Sequence, residues 1–319
     1  MAYGQSGHFA ACFQNSYGTT FTGSLTHLPI ISESIAETID QLVENNLYAH
    51  FGESPYHEGM HTVRGEVRCE AHPIFLGVGL KAAFGQVQTS AVGSVFTHVF
   101  WPAGQDFDGK AALPPLTLEI HRDVGSAFLY GDMLANDLTL EIAQGQLLTM
   151  NLGLLGGRTS NGAASTPAFP GGRPWSWDVV SASLDGVSAS QLRQLSLRFE
   201  NQLTPLHTLS SGKSPGRIKR EGPQRVQVEG NMLLEDQVWF QKYLAQSESR
   251  LLVTFTGQAV GSGYNAKLVL DVPRLRFSQF SPQLSGPGQL EVAFTANGMF
   301  DTTSGYAMQA TLTNTQPAY

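Results

Sequence analysis

The sequence has 319 residues, of which 41% are apolar and 14% charged, and its formal net charge is −7. This length is sufficient for two domains of ordinary size. The negative charge argues against a protein that grips nucleic acid, which needs clustered lysine and arginine, but not against one that lets nucleic acid pass. Because about a quarter of the residues in typical soluble domains are charged, the low share predicts that much of the surface contacts other protein.

The cysteines and the N-terminal segment indicate where the protein is made. Cys12 and Cys69 are too few for a disulfide framework, and we expect both to be reduced thiols in the cytosol. No signal peptide is visible, and the longest apolar run, Ile74 to Leu80, is far shorter than the ~20 residues of a membrane span. We therefore expect a protein that is soluble when made. Residues 1–28 fit either an arm that orders against another surface or a disordered terminus.

The predicted elements of the first half begin after residue 28. Ile35 to Val43 has the apolar spacing of a helix, but comparison with a later segment favours a strand. Phe51 to Thr62 is polar and contains proline, which predicts an extended surface loop. Val63 to Ala71 alternates strictly between apolar and charged residues and is predicted to be a strand.

A short helix and several strands follow. Ile74 to Phe84 is predicted to be a helix, because a proline precedes it and Gly85 follows it. Strands are predicted at residues 95–101, 116–120 and 125–130. Leu138 to Gly156 contains two apolar runs about a short turn with a glycine, which predicts a β-hairpin.

The same order of segments recurs after a predicted linker at residues 157–174, which is rich in glycine and proline. Ile31 to Ser34 and Val43 to Leu47 match Val187 to Ser190 and Phe199 to Leu203. The later matches are a polar loop, an alternating strand, a helix, a strand and a hairpin, at residues 208–224, 226–232, 235–245, 251–255 and 275–294, with a turn at Ser285-Gly286-Pro287. We predict a mainly β protein with two tandem, similar β-sandwich or barrel domains, residues 1–165 and 166–319, each with one short flanking helix.

No catalytic constellation is found in the sequence. The Gly-Ser pairs do not fit the G-x-S-x-G motif of a nucleophile elbow, and Gly212-Lys213-Ser214 lacks the first glycine of a phosphate loop, because His207 occupies that position. A metal site could use three histidines and two glutamates with irregular spacing, for which a solvated loop is the favoured interpretation: His50, His57, His61, Glu53 and Glu58. No catalytic, cofactor-binding or metal-binding residue is predicted.

Three further groups of residues have a functional and a structural interpretation. The tryptophans Trp101, Trp175, Trp177 and Trp239 could stack on sugars, but packing in a core or interface is favoured. Asp106 and Asp108 have no visible partner that would shift their pKa values. The basic run at residues 213–220 could contact nucleic acid, but a carboxylate on a partner chain is favoured.

Seven short motifs follow one another along the first half: Ser32-Glu33-Ser34, Val63 to Val67, His72 to Gly77, Leu80 to Gly85, Pro114 to Glu119, Asp123 to Tyr130 and Gly145 to Leu148. In this order they resemble the motifs of the major tail tube proteins of long-tailed, siphovirus-like bacteriophages. The second half resembles the same family more loosely, and two tube domains in one chain depart from the commoner single-domain members.

The resemblance implies a structural virion protein rather than an enzyme, without a cofactor. Six tube domains surround a pore, and stacked rings form the conduit for genome ejection, so that a two-domain chain would close the ring as a homotrimer with pseudo-sixfold symmetry. Three chains would carry 3 × −7 = −21 formal charges, and an acidic lumen repels phosphate. The implied partners are the protein itself, the tape measure protein and tail-end ring proteins, with double-stranded DNA passing through without specific binding. The implied locations are the virion tail and, during assembly, the host cytoplasm, with no membrane.

The resemblance also implies which segments contact the next ring. In the family, a long loop between early strands reaches that ring, and the matching segments are Phe51 to Thr62 and Thr208 to Gln224. Because one is net acidic and the other basic, complementarity between rings is a hypothesis. The alternatives are a carbohydrate- or receptor-binding virion protein and a ring-forming tail terminator or distal tail protein. The candidate inter-ring residues are Glu53, His57, Glu58, Lys213, Arg217, Lys219 and Arg220.

Overall fold

The structure is a computed structural model that describes residues 3–19, 24–46, 49, 51–102, 113–261, 263–282 and 288–319. Within these ranges it is built from antiparallel β-strands and two α-helices, so the predicted mainly β fold class is confirmed. His50, Asp106, Asp108 and the turn predicted at Ser285-Gly286-Pro287 lie outside the described residues.

The strands and helices follow one another with short connections. In the first half they are β1 (His8–Phe13), β2 (Thr26–Leu28), β3 (Ser32–Glu33), β4 (Ala36–Val43), β5 (Tyr56–Glu70), α1 (Phe75–Phe84), β6 (Gly85–Val92), β7 (Val95–Pro102), β8 (Leu116–His121), β9 (Ala127–Ala143), β10 (Thr149–Gly156) and β11 (Arg158–Gly162). In the second half they are β12 (Val180–Leu184), β13 (Val187–Ser188), β14 (Leu192–Glu200), β15 (Leu203–Leu206), β16 (Arg217–Arg220), β17 (Arg225–Leu233), α2 (Val238–Leu244), β18 (Ser249–Gly261), β19 (Tyr264–Phe280), β20 (Glu291–Gly298) and β21 (Gln309–Asn314).

One set of strand pairings occurs in both halves. In the first half the antiparallel pairs are β1–β2, β1–β8, β8–β9, β9–β10, β10–β5, β5–β4 and β9–β11. In the second half they are β12–β13, β12–β18, β18–β19, β19–β20, β20–β17, β17–β14 and β19–β21. The hairpin β6–β7 belongs to the first half alone and accounts for part of its extra length.

The register of this repeat differs from the sequence matches at the start of each half. Val63 lies opposite Gly156 and Val226 lies opposite Gly298, so Val63 and Val226 are equivalent positions. Glu37 pairs with Val63 and Phe199 pairs with Val226. Phe199 therefore corresponds to Glu37 and not to Val43. The match of Ile31 to Ser34 with Val187 to Ser190 is also wrong, because β13 pairs with β12 as β2 pairs with β1. These two matches depended on short polar motifs, which recur by chance because turns throughout a β protein use the same few residue types.

Several predicted elements are confirmed and others are corrected. Ile35 to Val43 is not helical and contains β4, whereas the loop predicted at Phe51 to Thr62 is wrong from Tyr56 onward, where β5 begins. This part of β5 shows no apolar alternation because it projects as a hairpin with few core contacts. Residues 1–28 were interpreted either as an ordered arm or as a disordered terminus. The part that forms β1 is ordered, and it pairs with β8 of its own chain. The strands predicted at 125–130 and 138–142 belong to one strand, β9. The alternation of buried and exposed side chains along β9 is interrupted near Asp132, whose φ is 59°.

Eight strands form a curved sheet that crosses both halves, in the order β4, β5, β10, β9, β14, β17, β20, β19. Its inner row of apolar side chains runs through Cys69, Met150, Leu140, Leu197, Val228, Ala296 and Phe277. All seven are buried and belong to one hydrophobic core drawn from both halves. Full burial of such side chains contributes roughly 1.5–3 kcal/mol each for the larger ones.

Both predicted helices cover this apolar face. On α1, a Cβ at Gly79 would lie 2.4 Å from Met150 Sδ, so glycine allows the helix to approach the sheet closely. On α2, the ring of Trp239 packs 5.6 Å from that of Phe277 and 5.5 Å from that of Phe294. The opposite face of the sheet carries no helix in the described residues.

The cysteines remain free thiols in the structure. Cys12 and Cys69 are both buried, and burial raises the pKa of each thiol to about 12. Such thiols are unreactive at neutral pH, because the thiolate is the nucleophile.

We predict that Gly65→Ala destabilises the protein by roughly 2–4 kcal/mol. A Cβ at this position would lie 2.5 Å from both Ile35 Cα and Ser34 O, which are backbone atoms that cannot move aside. The measurement is chemical unfolding, with Gly4→Ala as the control, because a Cβ at Gly4 meets nothing within 4 Å. Equal unfolding midpoints for the two variants would contradict this packing.

Candidate assembly surfaces

The eight-stranded sheet has two outer edges. In the described part of the chain, β4 pairs on one side alone, with β5, and the end of β19 from Arg276 to Phe280 pairs with β20 alone. β4 continues the short strand β3, which also pairs with β5. An unpaired strand edge presents backbone N–H and C=O groups that can bind another strand.

The edge strand β4 is only partly protected against pairing. Glu37 and Asp40 are charged, and the pairing with β5 has an irregularity between Ile39 and Gln41, but the strand Ala36–Val43 contains neither lysine nor proline. Ile39, Leu42 and Val43 are 46%, 58% and 55% exposed. Exposed apolar side chains on a strand edge are typical of a surface that binds another protein.

An edge-to-edge contact of this kind already exists inside the chain. Residues Asp137 to Ala143 of β9 pair antiparallel with Gln194 to Glu200 of β14, and we call this junction the β9–β14 seam. β9 occupies the same place in the first half as β19 in the second, and β14 the same place as β3 and β4. The seam therefore joins the outer edge of one half to the entry strand of the next.

The face of the sheet opposite the helices is polar, and we call it the polar face. One row of side chains crosses seven strands through Arg68, Asn151, Thr139, Arg198, Gln227, Asn297 and Arg276. On the described strands this face carries seven carboxylates and six arginines, with Arg193 at the bulge of β14 reaching Glu291: Glu66, Glu70, Asp137, Glu141, Glu200, Glu229 and Glu291, with Arg64, Arg68, Arg193, Arg198, Arg225 and Arg276.

The carboxylates engage arginines of the polar face. Arg198 Nη2 lies 2.9 Å from Glu200 Oε1 and 3.9 Å from Asp137 Oδ1, and Arg68 Nη2 lies 4.0 Å from Glu141 Oε2. Such pairs contribute little to stability, because the arginine of each pair is about half exposed to solvent. They occupy the guanidinium groups of Arg68 and Arg198, which would otherwise be available to bind phosphate.

Two hairpins carry the segments that were predicted to contact the next ring, and we call them the arm hairpins: the first is formed by residues 39–43 of β4 and 56–61 of β5, and the second by residues 203–220, whose strands β15 and β16 form a separate two-stranded sheet. Of the predicted inter-ring residues, Glu53 lies in the connection of the first hairpin, and His57 and Glu58 lie on β5. Lys213 lies in the connection of the second hairpin, and Arg217, Lys219 and Arg220 lie on β16.

The arm hairpins contact each other within one chain. Lys213 forms an ion pair with Glu58, and its carbonyl accepts a hydrogen bond of 2.9 Å from the backbone N–H of His61. The hydrogen bond from Lys213 lowers the pKa of the Glu58 carboxyl. Arg220 donates to the carbonyl and side-chain oxygens of Asn201. Arg217 and Lys219 are exposed.

The histidines considered for a metal site in the first arm hairpin are held by carboxylates. His57 Nε2 lies 2.6 Å from Glu44 Oε1, and His61 bridges Glu37 and Glu58 at 2.9 and 2.8 Å. Another cluster, which the sequence analysis missed, is buried: His8, His27 and Glu119. Burial and the neighbouring His8 lower the pKa of His27. Burial alone would raise the pKa of Glu119, but hydrogen bonds from Ser165 and His8 lower it overall.

The tryptophans considered for sugar stacking have different environments. Trp175 and Trp239 are 2% and 5% exposed, so packing in the core is confirmed for both. Trp177 is 44% exposed, beside the polar turn at the start of the second half. The two helices of the described chain have ten and seven residues, and neither is long and apolar enough to cross a membrane.

The described chain therefore presents two open strand edges, at which another strand can pair. The sequence matches the phage tail tube protein family over residues 4–298, and the chain therefore belongs to that family. No curated protein matches the sequence. Members of this family are structural proteins of the phage tail, which confirms the predicted family and makes the chain a component of the virion tail.

We predict that Asp137→Asn stabilises the protein at neutral pH. Burial raises the pKa of Asp137, with help from Glu66 and Glu200 and against the attraction of Arg198. An acid with a raised pKa binds its proton more tightly in the folded state, so the free energy of unfolding falls as pH rises from its ordinary value of 3.8 through the raised one. The expected gain in melting temperature at pH 7 disappears below pH 3.8.

The control is Asp40→Asn, which changes an exposed aspartate on β4 and is expected to alter the melting temperature little at any pH. A destabilised Asp137→Asn protein at pH 7 would show that the contact with Arg198 outweighs the cost of burial.

Proposed function

We propose that the chain is the subunit of a phage tail tube and closes as a homotrimeric ring with pseudo-sixfold symmetry, in which residues 1–165 and 166–319 are two tandem tube domains. The β9–β14 seam carries this proposal. A contact that joins two equivalent halves by the edge of one and the entry strand of the next can repeat between chains. Head-to-tail contacts that close by rotation form rings.

The number of strands is consistent with this ring. Each chain supplies eight strands to the curved sheet, from β4 to β19. If β19 of one chain pairs with β3 and β4 of the next, three chains form one continuous barrel around a pore. A closed barrel leaves no sheet edge, which accounts for an edge strand without lysine or proline.

We assign the polar face of this barrel to the lumen and the helices to the outside. The lumen would be lined by more carboxylates than arginines, with Arg68 and Arg198 already close to carboxylates. Such a wall repels the phosphates of double-stranded DNA and lets the genome pass during ejection without specific binding. Stacked rings would form the tube of a siphovirus-like tail, with the tape measure protein and tail-end ring proteins as partners, after assembly in the host cytoplasm.

The arm hairpins would contact the next ring. Lys213 is engaged by Glu58 of the same chain, which leaves Arg217 and Lys219 as the exposed cations on β16 most suited to an inter-ring contact. The acidic residue Glu53 lies in the exposed connection of the first arm hairpin. Opposite charges across a ring interface would set the register of stacking.

Negative-stain microscopy of the purified protein tests this function against its alternatives. Long hollow tubes support the tail tube, whereas single rings that never polymerise indicate a tail terminator or distal tail protein. Compact particles with a sugar-dependent melting shift indicate a carbohydrate- or receptor-binding virion protein. Because Trp175 and Trp239 are buried, their indole rings are not available for stacking on a sugar, which weakens the carbohydrate-binding alternative.

We predict that cysteines at positions 38 and 279 form disulfides between chains. In the seam, Asp137 lies opposite Glu200. Gln279 is the position equivalent to Asp137, and Thr38 is the position equivalent to Glu200. If the seam is repeated between chains, Gln279 of one chain lies opposite Thr38 of the next. Oxidised Thr38→Cys/Gln279→Cys protein should therefore end as covalent trimers on a non-reducing gel. Cys12 and Cys69 are buried and should not interfere.

The matched control is Thr38→Cys/Val92→Cys, because Val92 is exposed on the β6–β7 hairpin, away from the β19 edge. This pair should give no trimer. Monomers alone from the test pair, or a ladder that extends past three chains without accumulating trimers, would rule out the proposed ring closure.

We predict that reversing Lys213, Arg217, Lys219 and Arg220 to glutamate abolishes stacking. The double variant Arg217→Glu/Lys219→Glu is the sharper test, because it preserves the contacts of Lys213 with Glu58 and of Arg220 with Asn201. Microscopy should show rings without tubes for both variants. Arg173→Glu, at an exposed arginine of the linker, should still form tubes. Tubes of normal length from the double variant would contradict the inter-ring role.

A further inference from the structure

Two histidines and a glutamate converge on one face of three neighbouring strands. In the order β2–β1–β8, both His27 and Glu119 lie directly opposite Ala10, and His8 lies two residues before Ala10 on the same face. This face points away from the main core, since the alternate residues Phe9 and Ala11 belong to that core. The register alone therefore brings the three side chains together.

The cluster is buried although it lies on an outward face. His8, His27 and Glu119 are 8%, 6% and 3% exposed. The linker after β11 covers them: Ser165 donates its backbone N–H to Glu119 Oε1 at 2.9 Å, and its hydroxyl lies 2.8 Å from His27 Nε2. The ring of Phe169 packs 6.1 Å from that of His27.

The ligand atoms of the three side chains lie close enough to share one ion. His8 Nε2 is 2.9 Å from Glu119 Oε1, and the cluster's three ligand atoms all lie within 4.8 Å of one another. Zinc binds histidine nitrogen at about 2.0–2.1 Å and carboxylate oxygen at about 2.0–2.2 Å, so a small inward movement of the rings would complete its bonds.

The second half builds the same three strands without such a cluster. On β12, the residues facing away from the core are Ser181 and Ser183, opposite Thr254 and Leu252 of β18. Ser188 of β13 lies opposite Ser183 and is exposed. The fold itself therefore does not require titratable groups at this place, and burying three of them costs free energy unless they gain strong partners.

We propose that His8, His27 and Glu119 form a binding site for one divalent transition-metal ion of the zinc class, with Ser165 or a water molecule as the fourth ligand. Two imidazoles and a carboxylate are a set of three protein ligands that zinc accepts, with a fourth ligand completing its coordination. The bound ion cross-links β1, β2 and β8 beneath the linker, and so fastens the start of the chain and the connection between the halves to the first half.

The test begins with metal-free, full-length protein that is incubated with zinc sulfate, desalted and analysed for zinc. The wild-type protein should retain one equivalent of zinc and show a higher melting temperature with zinc than without it. Glu119→Gln and His27→Gln should lose both effects. His57→Gln is the control, because His57 is an exposed histidine of the first arm hairpin that lies outside the cluster, and this variant should retain zinc.

Cobalt provides a readout that separates ligation from folding. The wild-type protein loaded with cobalt(II) is the baseline, because it keeps Cys12 and Cys69. A thiolate-to-metal charge-transfer band that appears in cobalt-loaded His27→Cys but not in this baseline shows that position 27 binds the ion. If His27→Gln does not fold, the cobalt spectrum of His27→Cys still tests whether position 27 binds the ion. No retained zinc in the wild-type protein, equal retention in Glu119→Gln, or no charge-transfer band in folded His27→Cys would each overturn the proposal and leave a hydrogen-bonded cluster.

Discussion

The backbone hydrogen bonds of the β9–β14 seam are the constraint on which the rest of this structure depends. A β-strand at the edge of a sheet has unpaired N–H and C=O groups, and within the chain the edge of β9 meets this need by binding β14 of the other half. Because the second half repeats the pairings of the first, β4 and the end of β19 from Arg276 to Phe280 have the same need: within the described chain each is paired on one side alone. In the proposed ring, the contact between chains repeats a contact that already folds each chain.

The two faces of the sheet have different chemistry because of the two-residue period of its strands. Residues such as Leu197 and Val228 enter a core covered by α1 and α2, whereas their neighbours Arg198 and Gln227 stay on the polar face. A register shift of one residue would exchange these faces. The same alternation on a shorter set of strands buries His8 and Glu119 together under the linker, and the second half lacks that cluster although it repeats the strands.

The site residues illustrate what a sequence pattern can and cannot predict. The charged segments around Glu58 and Lys213 were visible as candidate contacts, but their contact within one chain was not, because 155 residues separate them. His8, His27 and Glu119 were missed for the same reason: each lies alone in an apolar or polar stretch, and only strand pairing brings them together. One feature of the sequence could have indicated the position of Glu119. The strict alternation of Leu116 to Ile120 places Glu119 and Thr117 on the face of the strand that points away from the main core.

The sequence by itself determined the local features of this protein: strands from alternation, helix α1 from its apolar stripe and flanking Gly85, a repeat of segment order, and membership of a family. These depend on interactions between residues close in the chain, which leave a periodic pattern. Only the tertiary structure decided which strands are neighbours, that Phe199 corresponds to Glu37, and that the halves share one core. Strand pairing is made by backbone groups that every residue carries, so its partners are chosen by packing of the whole chain rather than by local sequence.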